Sequence, residues 1–158
     1  MRLYDRLIED LARSKPGGWL FVNVFTHVDR RVMRWTNGRI STGLGSKFGK
    51  TALLLTCIGR KSGKSRDIPL VFARAGQQIV LIASRAGHAN NPAWYHNLKA
   101  NPACTVRVSG RKIDCIAHQA EGEEREQMWK AAVAVYAGYD DYATRTDRVI
   151  PVMVLTPR

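Results

Sequence analysis

The chain has 158 residues, of which 45% are hydrophobic and 24% charged, so it can build one domain with a buried core and is not compositionally disordered. Its 25 Lys and Arg against 13 Asp and Glu give a formal net charge of +12. This excess predicts an anionic partner, which is a nucleic acid, an anionic lipid, or a ligand bearing phosphate or carboxylate. Three cysteines without a C-x-x-C pair argue against a disulfide framework and a four-cysteine zinc site, and they are expected to be buried reduced thiols.

The first 50 residues predict two helices and a loop. Apolar residues spaced i, i+3, i+4 and i+7 from Tyr4 predict a short amphipathic helix that ends at Pro16. A second helix with a basic end is expected over about 19–35, and four glycines within 38–50 indicate a loop. The longest apolar stretch, 17–28, is too short and too interrupted to span a bilayer, and no signal peptide is visible. A cytoplasmic location is therefore expected.

The rest of the chain alternates short apolar runs with turn residues. Strands are expected at 51–58, 68–74, 79–84, 105–108, 112–118 and 150–155. Turn residues at 75–78 and 109–111 indicate hairpins, and helices are expected from Asn91–Pro92 to about residue 100 and over 121–137. Six strands with hairpin-like links predict a small antiparallel barrel of the α+β class, with no second domain.

Basic residues are concentrated in the segment 58–66, which carries four basic and no acidic side chains. It contains Gly-Lys-Ser, but it lacks the G-x-x-x-x-G-K-S spacing and precedes a strand, so it is not a nucleotide-binding phosphate loop. Two interpretations remain, a solvated turn or a hairpin tip whose cations hold a phosphate or carboxylate. Nucleic acid is not expected, because no aromatic residues are interleaved with these cations.

Aromatic and polar residues near two other loops complete the candidates. Ser84-Arg85 ends a strand and leads to a helix carrying Trp94, which fits core packing and a ligand-stacking wall equally well. Three tyrosines, Tyr136, Tyr139 and Tyr142, recur at intervals of three, a helical spacing that predicts three phenol rings on one helix face. Phenols in place of Leu or Phe favour a pocket wall with hydroxyl groups. The histidines are scattered, so no metal site is expected. No nucleophile–base motif stands out, so an enzyme of this sequence would need a cofactor to carry the reaction.

Several motifs occur together from about residue 50 to the end of the chain. They are L-L-L at 53–55, G-R-K-S-G-x-x-R at 59–66, N-P-x-W-Y-x-N-L at 91–98, the three tyrosines, and R-x-I-P-V at 148–152. This combination resembles the deazaflavin-dependent nitroreductase family, whose members are split-barrel oxidoreductases that use coenzyme F420. The segment 91–98 is the most specific part of the resemblance.

The resemblance implies a six-stranded split β-barrel, similar to FMN-binding split barrels, with flanking helices. A helical segment would cover 1–45 and the deazaflavin-binding domain 46–158. The implied cofactor is coenzyme F420, a deazaflavin whose tail bears a phosphate and a γ-glutamyl chain. The implied reaction is hydride transfer from its reduced form to an enone, quinone or nitroheterocycle.

The resemblance also implies roles for individual residues, and none of these roles is that of a metal ligand. The residues implied to bind the cofactor are Arg60, Lys61, Arg66, Pro69, Ser84, Arg85, Trp94 and Asn97. Of these, Lys61, Arg66 and Arg85 would grip the phosphate. The residues implied to lie near the reacting ring and the substrate are Ser84, Tyr136, Tyr139 and Tyr142.

Two other interpretations stay open. An FMN-binding split-barrel oxidoreductase would use similar basic residues, and a non-enzymatic membrane-surface protein would account for the charge without a cofactor. The basic end of the second helix also favours peripheral contact of a reductase with the inner face of the cell membrane through its N-terminal helices. The expected partner is a small-molecule hydride acceptor, and the oligomeric state stays open.

Overall fold

A computed structural model describes residues 26–40 and 51–158 of the chain. The helix predicted from Tyr4, the first part of the predicted second helix and residues 41–50 lie outside the described residues. The helices are α1 (Thr26–Trp35), α2 (Ala93–Ala100), α3 (Gly122–Val135) and α4 (Gly138–Ala143), with a 3₁₀ turn at Arg85–Gly87. The strands are β1 (Ala52–Ile58), β2 (Ser65–Val71), β3 (Ala73–Ala75), β4 (Gln78–Ile82), β5 (Ala103–Val108), β6 (Arg111–Gln119) and β7 (Val152–Pro157).

The seven strands form one antiparallel sheet in the order β2-β1-β5-β6-β7-β4-β3. The two edge strands, β2 and β3, are consecutive in the chain and are separated only by Phe72. Because one residue joins the two edges, the sheet must curl toward closure, which gives a half-barrel with flanking helices. This confirms the predicted fold type.

The predicted count of six strands is wrong by one. The expected strand 68–74 is two strands, because the chain stops pairing with β1 at Val71 and starts pairing with β4 at Ala73. Between them the backbone N–H of Phe72 donates to the carbonyl oxygen of Thr51, 2.8 Å away, outside both ladders. Local apolar composition continues through this corner, so the change of partner leaves no mark in the sequence pattern.

Alternating side chains of the sheet supply two apolar clusters. In β4, Ile79 and Leu81 point into the half-barrel, whereas Val80 and Ile82 pack with the tyrosines of the α3–α4 region. This period of two is the ordinary pleat of a strand covered on both faces. The three cysteines are free and buried, as expected, and burial raises the pKa of Cys104 to about 12.

Two predicted helices differ in detail from the structure. Pro92 is the N-cap of α2 rather than its first residue, because its ψ of 153° is extended, and the side chain of Asn91 accepts a hydrogen bond from Arg148 instead of capping the helix. The helix predicted over 121–137 ends at Val135, so Tyr136 caps α3 while the other two tyrosines lie on α4. The prediction that all three share one helix face is therefore wrong. No helix of the described residues is long and apolar enough to cross a membrane.

Candidate functional site

A cleft of about 1110 Å³ lies between the β1–β2 loop, the start of α2 and the tyrosines of the α3–α4 region. All eleven side chains singled out from the sequence line it, namely Arg60, Lys61, Arg66, Pro69, Ser84, Arg85, Trp94, Asn97, Tyr136, Tyr139 and Tyr142. This volume is slightly above the usual range for small-molecule sites, about 300–1,000 Å³, and leaves room for a large cofactor. The structure thus brings the candidates together, and which ligand each one touches stays a prediction.

The basic loop, residues 59–64, is a compact turn. The backbone N–H groups of Gly59 and Gly63 donate to the carbonyl oxygens of Lys64 (2.9 Å) and Gly59 (2.8 Å), which close the turn on itself. Both lysines of the loop are exposed, but only Lys61 lines the cleft, and Lys64 lies outside the lining. The loop therefore directs only part of its charge toward the cleft.

Asn97 fastens this basic loop to α2. Its side chain is 8% exposed, and its Oδ1 accepts a hydrogen bond from the backbone N–H of Arg60 at 3.0 Å. Its Nδ2 donates to Sγ of Cys57 at 3.7 Å. Burial raises the pKa of the Cys57 thiol despite this bond, so Cys57 stays protonated at neutral pH. Asn97 thus ties the backbone of the basic loop to α2, and its binding of the cofactor, which the resemblance implies, stays a prediction.

A carboxylate among the cations is paired within the protein. Asp67 accepts hydrogen bonds from Oγ1 of Thr56 (2.7 Å) and from Nε of Arg34 (2.7 Å), while Arg107 donates to the same Thr56 hydroxyl. Burial acts to raise the pKa of Asp67, but the bonds from Thr56 and Arg34 outweigh it and hold this pKa below its usual value. The pairing neutralises a charge that would repel an anion, and it ties α1 to β2.

The loop after β4 carries backbone strain beside the cleft. Arg85 and Ala86 have φ values of 46° and 54°, in the left-handed region that costs residues with a Cβ about 1–2 kcal/mol each. Gly87 follows with a φ of 77°, and a Cβ there would lie 2.9 Å from the carbonyl oxygen of Tyr142. The exposed side chain of Arg85 joins the cleft lining from this loop.

The tyrosines form a buried wall with paired hydroxyls. Tyr136, Tyr139 and Tyr142 are between 6% and 8% exposed, and the hydroxyls of Tyr136 and Tyr142 lie 2.9 Å apart. The rings of Tyr136 and Tyr139 meet edge to face at 5.2 Å. A Cβ on Gly138 would collide with the Tyr136 ring, so glycine makes this packing possible. Burial raises the pKa of Tyr139, which keeps its phenol protonated.

Trp94 is placed where it can pack in the core and also face a ligand. It is 6% exposed and belongs to the cluster inside the half-barrel, yet it also lines the cleft. His96 is not among the residues predicted from the sequence, but it lines the cleft as well and packs edge to face on Tyr95 at 5.1 Å. Its position in the first turn of α2, two residues after Trp94, is the signal that could have identified it.

The residues of the cleft fit a planar ring with an anionic tail. Cations lie at the basic loop and at Arg85, while the floor is apolar and includes Ile68, Pro69 and Trp94. An apolar body with a few directed polar groups is the usual character of a cofactor site. Within residues 26–40 and 51–158, no group of three or more His, Cys, Asp or Glu side chains is placed to hold a metal ion.

Comparison with known proteins identifies the family. A family model described as F420H(2)-dependent quinone reductase matches residues 26–157. The protein Rv1261c of Mycobacterium tuberculosis, named an F420H(2)-dependent quinone reductase, is 35% identical over 130 residues, which cover 80% of this chain and 86% of that protein. Rv3178 of the same organism, provisionally named for the same activity, is 37% identical over 117 residues, which cover 73% of this chain and 98% of that protein.

Two solved structures are similar to this chain, and one of them is described as an F420-dependent reductase. An F420-H2-dependent reductase, FDR-A, is 41% identical with a TM-score of 0.63, covering 67% of this chain and 94% of its own. A structure described as a domain-swapped dimer is 34% identical with a TM-score of 0.64, covering 89% of this chain and 99% of its own. These matches confirm the expectation of an F420-dependent oxidoreductase that the motifs raised. The chain belongs to the F420H(2)-dependent quinone reductase family.

Proposed function

We propose that this chain transfers a hydride from reduced coenzyme F420 to a quinone, with enones and nitroheterocycles as further acceptors. The observation that carries the proposal is that Lys61 of the basic loop, Arg66 of β2 and Arg85 of the loop after β4 line one cleft together with the tyrosine wall. Three cations beside an apolar floor fit a cofactor with a planar ring and a phosphate-bearing tail.

The cations would hold the anionic tail of the cofactor. Hydrogen bonds to charged groups contribute about 1.5–3 kcal/mol each. These side chains are exposed, so solvent and salt lower the contribution of each toward about 1 kcal/mol. Arg60 would add to this field, and Pro69 and Trp94 would support the ring from the apolar floor.

When it is bound, the reduced deazaflavin supplies a hydride from C5, which is two-electron chemistry. The chain orients the acceptor and excludes water from the reacting atoms. Reduction of a quinone to a hydroquinone consumes one hydride and one proton. A hydroxyl of the tyrosine wall, Ser84 or a water would deliver this proton to the quinone oxygen. The buried Tyr136–Tyr142 pair can also donate a hydrogen bond to that oxygen as negative charge develops on it.

Fluorescence titration with oxidised F420, followed by turnover of the reduced form, tests the function. We expect saturable binding and oxidation of F420H2 that depends on an added quinone. The same titration with FMN is the control, because an FMN-binding split barrel would show yellow flavin bands as purified and would bind FMN in preference. No binding of F420, or tight binding of FMN alone, would reject the proposal.

Peripheral membrane contact and an oligomeric state are proposed for the same chain. Trp35, at the end of α1, is 90% exposed, and exposed arginines at 31 and 39 lie close to it in the chain. An exposed indole beside cations favours an anionic lipid surface. Trp35→Ala should reduce co-sedimentation with anionic vesicles, whereas Val149→Ala, at a residue that is 74% exposed, should not. Equal losses would reject the contact.

The relative described as a domain-swapped dimer supports an oligomer here. Light scattering of the full chain would distinguish a dimer from a monomer. The proposed division into a helical segment at 1–45 and a barrel domain at 46–158 is tested by limited proteolysis, which should cut first near the boundary.

A further inference from the structure

Arg148 binds the strained loop after β4 with most of its guanidinium. Its Nε donates to the carbonyl oxygen of His88 at 2.8 Å, and its Nη1 donates to Oδ1 of Asn91 at 2.6 Å. Its Nη2 donates to the carbonyl oxygens of Ala83 (3.1 Å) and Ser84 (2.8 Å). These four acceptors span the whole segment between the end of β4 and the start of α2.

The segment that Arg148 spans contains the strained residues of the cleft. Ala83 and Ser84 precede Arg85 and Ala86, whose φ values are positive, and His88 and Asn91 follow them. A backbone in this region relaxes to an extended or right-handed conformation unless its surroundings hold it. Bonds to both ends of the segment are such a restraint, because relaxation at residue 85 would pull the carbonyl oxygens of Ser84 and His88 apart.

Arg148 also acts on Arg85 through charge. Burial, and then the charge of Arg85, lower the pKa of Arg148, so the two guanidinium groups are close enough to repel each other. The Arg148 group is engaged by four oxygen atoms and cannot move away. Repulsion therefore favours conformations in which the Arg85 side chain points away from Arg148.

We infer that Arg148 is a positioning residue for F420 binding, which holds the 83–91 loop in its strained form and so presents Arg85 to the anionic tail of the cofactor. This rests on the proposed function, because it presumes that Arg85 contacts that tail. Arg148 does not line the cleft itself, so its contribution to F420 affinity is expected to pass through Arg85. Arg148 begins the R-x-I-P-V motif at 148–152, but the motif does not indicate what Arg148 binds. The residues that it binds lie 57 to 65 positions earlier in the chain.

A double-mutant cycle tests whether Arg148 acts through Arg85. The dissociation constant of oxidised F420 is measured by fluorescence for Arg148→Ala, Arg85→Ala and the double variant. We expect Arg148→Ala to weaken binding up to about 5-fold in the otherwise unchanged chain, which is the whole contribution of Arg85, but less than about 2-fold in the Arg85→Ala background, since residues in one network are not additive. In a Lys61→Ala background the effect of Arg148→Ala should again be about 5-fold, because Lys61 is on the other loop.

Amide hydrogen exchange of the ligand-free chain gives a second, cofactor-independent measurement. The N–H groups of Gly87 and His88 donate to the carbonyl oxygens of Ser84 and Arg85, both at 3.0 Å. Their exchange should be faster in Arg148→Ala than in wild type and unchanged in Arg111→Ala, which removes the same charge from an exposed strand position outside the cleft. Arg148→Lys should behave like Arg148→Ala, because an ammonium cannot reproduce the planar fork. It also replaces Arg148→Ala in the cycle if the alanine variant does not fold.

Three outcomes would overturn or redirect the inference. Additive losses in the Arg85→Ala background would mean that Arg148 does not act through Arg85. Unchanged exchange at Gly87 and His88 would mean that it does not hold the loop. Failure of the wild-type chain to bind F420 would reject the proposed function, while the exchange experiment would still decide whether Arg148 restrains the loop.

Discussion

Replacing Asn97 with alanine should loosen the basic loop without removing any of its charges. The change removes the acceptor of the Arg60 N–H, a partly buried bond of 3.0 Å, and costs about 1–2 kcal/mol of folding free energy. For a chain of this length, such a loss lowers the melting temperature by about 2–8 °C. If one or two loop residues regain their backbone freedom, F420 binding must order them again at about 1 kcal/mol each, which weakens affinity about 5- to 30-fold.

Thermal unfolding by circular dichroism and fluorescence titration with F420 measure the two effects separately. Tyr95→Phe is the matched control, because it also removes one side-chain hydrogen bond of α2, the 2.9 Å bond from the Tyr95 hydroxyl to Gln119, but does not touch the loop. This variant should lose some stability and keep its F420 affinity. An Asn97→Ala variant that melts lower but binds F420 as tightly as wild type would refute the role of Asn97 in positioning the cations.

Two further predictions concern the tyrosine wall and the buried carboxylate. Gly138→Ala should displace the Tyr136 ring, at a cost of about 1–3 kcal/mol in unfolding free energy. It should lower kcat with quinones while the affinity for F420 changes little. An unchanged kcat would contradict this prediction. The pKa of Asp67 is depressed in the folded chain, so its pairing with Arg34 stabilises the fold fully above the ordinary value of 3.8 and less as pH falls through the lower folded pKa. In Asp67→Asn the free energy of unfolding, measured with urea at a series of pH values, should therefore fall less steeply in acid than in wild type. An unaltered pH profile would show that the pair contributes nothing.

The parts of the site that come from contiguous motifs could be predicted from the sequence. The basic segment 58–66 and the segment 91–98 are each contiguous, so the sequence alone shows their charge and their aromatic residues, while the family resemblance implies the roles of Lys61, Arg66, Trp94 and Asn97. The sequence could not show that Phe72 separates two strands, because the change of hydrogen-bond partner depends on how the sheet closes.

Pairings between distant residues were missed for the same physical reason. The ion pair of Arg34 with Asp67 joins residues 33 positions apart, and Arg148 reaches back to a loop beside β4. The sequence shows the basic residues at the end of α1 as charge, but tertiary packing decides that Asp67 is the partner of Arg34. Local helix propensity does not predict that α3 ends at Val135, just before Tyr136. The chain then turns into α4, and this bend, rather than helical spacing, brings the Tyr136 hydroxyl to that of Tyr142.

The central claim is that cations facing the cleft, rather than the net charge of the chain, anchor the tail of coenzyme F420. Lys61 and Lys64 belong to the same basic loop and carry the same charge, but only Lys61 lines the cleft. The dissociation constant of F420 for Lys61→Ala should rise about 5- to 20-fold, against less than 2-fold for Lys64→Ala, and the difference should shrink as salt is raised. Equal affinities for the two variants would contradict the claim.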